Sequence, residues 1–152
     1  MIKEILDSKE KREISRDILE QLPEWFGIPE STENYIQECS NQYFFELTLS
    51  APSLQGFISF KETSKDTIEL AVMGVKKEYH RKGIGKNLFL YAKKLLLEKG
   101  YSFIQVKTVQ IGKYSSYDIA NKFYISLVFK EFELFPTLWN ENNPCQIYII
   151  SL

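Results

Sequence analysis

Cysteine and histidine are scarce in this chain of 152 residues. The two cysteines, Cys39 and Cys145, stand far apart, and His80 is the one histidine. Neither cysteine belongs to a CxxC or Cys/His cluster, so no metal site and no disulfide framework is expected. Cys39 and Cys145 also lack a neighbouring base in sequence, which leaves a covalent role for either thiol remote. No run of 18 apolar residues exists, so no membrane-spanning segment is expected. The first 16 residues are charged through Arg16, which excludes a secretory leader and points to a cytoplasmic location. Charge of one sign is missing too. A formal net charge of -1 gives no overall bias toward polyanions, so any attraction for phosphate must come from a local patch. Repeats, low-complexity tracts and linkers are absent, and one domain over residues 1–152 is expected.

What is abundant is aromatic. Eleven Phe, nine Tyr and two Trp make 14% of the chain, enough to line a pocket as well as fill a core. Asp7 and Glu10 form a capping-box pattern, and Ile14, Ile18 and Leu22 then follow helical spacing until Pro23. Residues 23–30 read as an aromatic loop, and Ser31 as the cap of a second helix carrying Tyr35, Ile36 and Cys39. Strands are expected over 43–49, 56–60 and 67–75, with turns at Pro52-Ser53 and Ser64–Asp66. After a basic glycine-containing stretch, a helix starts at Ile84 and closes at Gly100. A strand over 101–109, a helix over 115–127, and strands near 132–135 and 146–151 complete the order. Strands that both precede and alternate with helices indicate a mixed α/β domain in three layers.

The stretch from Val75 to Leu88 leaves a strand and enters a helix. A helix start offers four N–H groups without intrahelical partners and a positive dipole end. Gly83 and Gly85 keep side chains away from those groups, while Arg81, Lys82 and Lys86 add charge. The combination suits a pyrophosphate. A dinucleotide fingerprint is weak, because Leu88 stands where its third glycine belongs. A Walker A loop fails, because Asn87 follows Lys86 and His80 occupies its first glycine position.

The segment His80-Arg81-Lys82-Gly83-Ile84-Gly85 resembles the coenzyme-A-binding motif of the GCN5-related N-acetyltransferases (GNAT), with His80 in the motif's Gln/Arg position. A second stretch, Tyr117-Asp-Ile-Ala120-Asn-Lys-Phe123-Tyr124-Ile-Ser-Leu-Val128-Phe129, resembles the family's later helix. There Tyr117 replaces the usual Asn and Val128 the usual Gly, and a β-branched residue resists positive φ, so a different helix ending is expected. The resemblance covers residues 43–151. It implies a splayed mixed sheet with helices on both faces, entered by acetyl-CoA where strand 67–75 leaves strand 102–109. Main-chain groups of Met73, Gly74 and Val75 would hold pantetheine, the turn Arg81–Lys86 the pyrophosphate, and Tyr117 a further part of the cofactor.

It further implies direct transfer to the amine of a small-molecule or peptide acceptor in a ternary complex. Tyr124 would be the general acid, Glu69 the base, and an N–H near Met73–Val75 the oxyanion donor. A site that lowers the Tyr124 pKa would ease proton transfer to the thiolate. Trp25 and Phe26 are candidates for the acceptor wall or a structural plug; Glu69 is either the base or an outward-facing solvent residue. His80 falls near the phosphates. A homodimer is left open, and polyamine, aminoglycoside, amino acid, peptide N-terminus and lysine all remain open as acceptors. The rival readings are a non-catalytic CoA-binding regulatory module and a nucleic-acid-binding protein using the basic turn; the neutral charge speaks against the latter.

Overall fold

The computed structural model describes residues 1–49 and 53–152. Strand β1 (Ile2–Ile5) is followed by helices α1 (Ser8–Leu19) and α2 (Pro29–Cys39), then by β2 (Tyr43–Thr48), β3 (Leu54–Glu62) and β4 (Thr67–Val75). A short 3₁₀ turn (Lys77–Tyr79) leads to α3 (Ile84–Glu98), β5 (Phe103–Val109), α4 (Ser115–Ser126), β6 (Lys130–Asn140) and β7 (Asn143–Ser151). The strands form one sheet in the order β1-β2-β3-β4-β5-β7-β6.

Helices cover both faces. Ile14, Ile18, Leu19 and Leu22 lay the apolar stripe of α1 over Phe44, Phe57 and Val72, with Ile36 and Cys39 of α2 beside them. On the other face Ile84, Leu88, Phe89, Ala92 and Leu96 of α3 pack on Phe45, Ile58, Phe60, Ile68 and Leu70. Stripes three and four residues apart bury one side of each helix, and that burial dominates the stability of the fold.

Two features of β4 shape the site. First, Phe60 pairs with Leu70 and Ser59 with Val72, so Ala71 has no partner on β3 and forms a bulge. Ile68 and Leu70 face α3, while Val72 joins the α1 core and Met73 packs toward α3 again. The extra residue re-phases the strand and bends it. Second, β4 runs parallel to β5 for only three pairs, Thr67 with Phe103, Ile68 with Ile104 and Glu69 with Gln105. Beyond them β5 stays with β7, and β4 departs along β3.

Several elements differ from the sequence reading. The stretch 2–5 is a strand on β2, pairing Ile2 with Leu47 and Ile5 with Phe44. Helix α2 starts at Pro29, a favoured first position because proline has no N–H to leave unpaired, so Ser31 is not its cap. Strand β6 runs to Asn140 as an exposed edge in which Pro136 sits without disturbing an inner ladder. Of the turn expected at Pro52-Ser53, Pro52 lies outside the described residues.

The end of α4 also departs from expectation. Val128 adopts φ 67, the left-handed conformation that glycine favours. Its N–H donates to the Ile125 carbonyl at 3.0 Å, and the Phe129 N–H donates to Tyr124 at 3.2 Å. Those two bonds, with the Phe129 ring 6.0 Å from that of Tyr124, make a Schellman ending in which valine stands at the glycine position.

Candidate active site

Where β4 and β5 separate, a cavity of about 670 Å³ opens. Its floor is the exposed edge of β4. The Lys76 N–H donates to the Gln55 carbonyl on β3 at 2.9 Å. Main-chain groups alternate sides along a strand, so those of Gly74 also face β3, and those of Met73 and Val75 face the cavity. The Val75 carbonyl there accepts from His80 Nε2 at 2.6 Å, which fixes the proton of that ring on Nε2.

One wall is the turn into α3. Gly83 has φ 77 and Arg81 φ 63, so the chain enters α3 through two left-handed residues in a sharp turn. No side chain caps α3 and no acidic residue occupies its first turn. Its N–H groups and dipole are therefore available to a ligand. Arg81, Gly83, Ile84, Gly85 and Lys86 all line the cavity. The two glycines serve different ends. A Cβ at Gly83 would meet nothing within 4 Å, whereas one at Gly85 would lie 3.1 Å from Phe123 Cζ and 3.2 Å from Met73 Cε. Gly85 makes room for α4 to approach α3, and Gly83 permits the turn. Gly74 also serves packing: its Cβ would fall 2.7 Å from Ile18 Cγ2 of α1. Lys82 is the exception among the residues expected at the cofactor. It does not line the cavity, and its ammonium lies 5.8 Å from the centre of the Tyr79 ring.

The opposite wall is α4, which presents Tyr117, Ala120, Phe123 and Tyr124. Asn121, on the far side of the helix, is buried; it donates to Val109 at 2.9 Å and accepts from the Tyr148 hydroxyl at 2.6 Å, anchoring α4 to β5 and β7. The Tyr124 hydroxyl has no hydrogen-bond partner among the described residues. Burial pushes its pKa up, and the phenols of Tyr35 and Tyr117 push it further. The expected lowering is thus reversed: this phenol stays neutral, with an O–H free to donate.

The roof is the α1–α2 loop. Trp25 Nε1 donates to the Ser116 carbonyl at 2.9 Å, which pins the loop to the start of α4. Trp25 lies edge-on to His80 with centroids 6.2 Å apart, and Phe26 packs edge-on against Tyr35 at 5.8 Å. Trp25, Phe26 and Tyr35 all line the cavity. Trp25 is therefore both wall and fastening.

Glu69 is buried but does not line the cavity, and it is not the solvent-facing residue that a mid-strand glutamate suggests. It accepts from Gln105 Nε2 at 3.0 Å and sits 3.2 Å from Lys107 Nζ and 3.6 Å from Lys61 Nζ. Lys107, paired with Glu69, is the member of this cluster that lines the cavity. Direct contact between Glu69 and an acceptor is not offered; a proton would have to reach it through water. Sequence reading missed Tyr35 and Lys107. The alternation of Ile104, Val106 and Thr108 against Gln105 and Lys107 marks a polar face of β5, and it lies beside Glu69.

The comparisons agree with this architecture. No curated protein matches the sequence significantly. Among solved structures, a Desulfovibrio desulfuricans protein of the GNAT family superposes with a TM-score of 0.83 at 16% identity, covering 99% of this chain and 98% of that one. An aminoglycoside 6'-N-acetyltransferase complexed with coenzyme A gives 0.75 at 17% identity over 99% and 96%. The ribosomal-protein-S18-alanine N-acetyltransferase of Escherichia coli gives 0.75 at 17% identity over 99% and 94%. A model of the acetyltransferase (GNAT) family matches residues 11–124. With the splayed sheet, the bulged β4 and the uncapped α3 in place, the chain belongs to the GNAT family of acetyltransferases.

Proposed function

We propose that this protein transfers an acetyl group from acetyl-CoA to a primary amine, directly and within a ternary complex. The observation that carries the reading is one cavity containing the free edge of β4, the uncapped start of α3 and an unpartnered tyrosine hydroxyl. The coenzyme-A complex of the aminoglycoside 6'-N-acetyltransferase, which shares the fold, supports the choice of donor.

The residues present fit the donor. Main-chain groups of Met73 and the N–H of Val75, whose carbonyl is taken by His80, suit the amides of pantetheine, and the N–H groups from Gly83 to Lys86, with the Arg81 and Lys86 side chains, suit the pyrophosphate. Acetyl-CoA supplies an activated thioester; the chain supplies geometry and protons. An N–H in the Met73–Val75 segment donates to the carbonyl oxygen as that oxygen gains charge. The N–C amide bond forms as the C–S bond breaks. The amine loses its proton beforehand to water in contact with Glu69, since an ammonium has no lone pair. The Tyr124 hydroxyl donates to the departing sulfur, and the thiolate is protonated through it or from solvent. On ordinary values, a thiol near pKa 8.5 needs no full proton from a phenol near 10, so donation without transfer suffices.

Two measurements test this. Acetyl-CoA at about one hundred times its Kd should stabilise the native state by about 2.7 kcal/mol and raise the Tm accordingly. A thiol-release assay over a panel of amines should show acceptor-dependent turnover. A CoA-binding module without transfer gives the Tm shift and no acceptor-dependent thiol; absence of both refutes the reading.

A further inference from the structure

Resting on that reading, we infer that the acceptor is an aliphatic primary amine bearing both an aromatic ring and a carboxylate, such as an aromatic amino acid, and not a polycation. The first observation is an absence with chemical meaning. Among the described residues, no aspartate or glutamate lines the cavity. A polyamine or aminoglycoside carries several ammonium groups, and bringing them into a cleft without carboxylates leaves buried charge uncompensated. Glu69, beside the wall residue Lys107, is already engaged by Gln105, Lys61 and Lys107, and Glu38, the other carboxylate acting on the Tyr35 phenol, does not line the cavity either.

The second observation is what does face the space under the α1–α2 loop. Two lysines flank the single carboxylate of Glu69, so that cluster carries one net positive charge, and Lys107 is its member at the cavity wall. Tyr35 and Tyr117 line the same space, and neither hydroxyl has a hydrogen-bond partner among the described residues, which leaves Tyr117 for the acceptor rather than the cofactor. Burial is the main reason that both phenols are held above their ordinary pKa, so both stay protonated donors at neutral pH. An ammonium and two phenols together are rich in donors and poor in acceptors, which is the complement of a carboxylate. The third observation is aromatic lining. Trp25 and Phe26 join these tyrosines in the roof and walls, and an aromatic ring stacks or packs edge-on against such surfaces. Carboxylate, ring and amine are the three parts of an aromatic amino acid. The chemistry at the amine is that given above, with the amide N–C bond formed as the thioester C–S bond breaks.

The test is a kinetic comparison by thiol release at saturating acetyl-CoA. Phenylalanine, phenethylamine, which lacks the carboxylate, and spermidine are the acceptors. We expect kcat/KM to fall in that order, with phenylalanine at least about tenfold above phenethylamine, the scale of one charged hydrogen bond. Lys107→Met should collapse the phenylalanine-to-phenethylamine ratio by about tenfold. Lys107→Arg, which keeps the charge, should recover most of it and shows that the loss is not misfolding. Spermidine turned over as well as phenylalanine overturns the inference, as does a ratio that Lys107→Met leaves unmoved. If no acceptor turns over while acetyl-CoA still stabilises the protein saturably, the acceptor class is wrong and the donor site stands. If acetyl-CoA gives no stabilisation, the transfer reading itself falls.

Discussion

Replacing Val128 by glycine should stabilise the protein. A valine at φ 67 brings its branched Cβ against the neighbouring carbonyl, a strain of about 1–2 kcal/mol for any L-residue and toward the upper end for a β-branched one. Glycine removes it. Two costs oppose the gain. Glycine adds unfolded-state freedom worth about 0.7 kcal/mol. Val128 is 63% exposed, so roughly a third of a valine's burial, about 0.5 kcal/mol, is lost. The balance is a net gain of about 0.5–1 kcal/mol. For a chain of this size that raises the Tm by roughly 1–4 °C. Val128→Ala supplies the control, because alanine loses the two γ-methyls yet keeps positive-φ strain; with glycine's entropy cost set against that strain, it should fall about 0.5 kcal/mol below glycine. Urea denaturation with a shared m-value measures all three proteins on one scale. Glycine equal to or below alanine would show that Val128 carries no strain, and the argument from φ would fail.

Tyr124→Phe removes only the hydroxyl and should lower kcat by about 10²-fold or more, with acetyl-CoA affinity and Tm little changed; turnover within about threefold of wild type, with chemistry rate-limiting, would make Tyr124 a packing residue. Because the folded phenol is raised, kcat should show no loss from its ionisation as pH climbs through 10, and a decline below pH 9 that vanishes in Tyr124→Phe would contradict that. Gly83→Glu adds strain but meets no atom, so it should leave a folded protein a few degrees less stable and without measurable CoA affinity, whereas Gly85→Ala should cost stability through Phe123 and Met73. Cys39, fully buried with its thiol pushed up to about 11, should resist a disulfide reagent at pH 8 until the protein unfolds. The sign follows from linkage: its contribution is intact below the ordinary value of 9.0 and is lost as pH rises toward about 11, so Cys39→Ala should flatten that part of the Tm profile.

Much of the fold was legible because its signals are local. The alternation of Thr67–Val75 marks β4 to the residue, and the helical spacing from Ile84 ending at Gly100 marks α3. What stayed hidden depends on partners distant in sequence. Strand β1 is four residues with Lys3 and Glu4 in its middle, and only its ladder with β2 makes it a strand. The bulge at Ala71 exists relative to β3 and leaves no trace in the alternation itself. The left-handed Val128 contradicts the local preference of valine, and tertiary packing of Phe129 on Tyr124 and Phe89 overrules it. At the site, the glycine–basic turn was readable from spacing. Lys107 and Tyr35 were not, because their importance comes from what they face across the cleft.

The bulge at Ala71 has one more consequence. Delete that residue and every side chain of β4 keeps its side of the sheet, since Leu70 would then be followed directly by Val72 in regular alternation. What changes is the path of the strand. Without the kink, β4 continues beside β5, their ladders close, and the main chain of Met73 and the N–H of Val75 find partners within the protein. The core would survive intact around a site that had shut. Whether this sheet is a wall or a doorway is thus written in the number of residues, not in their chemistry.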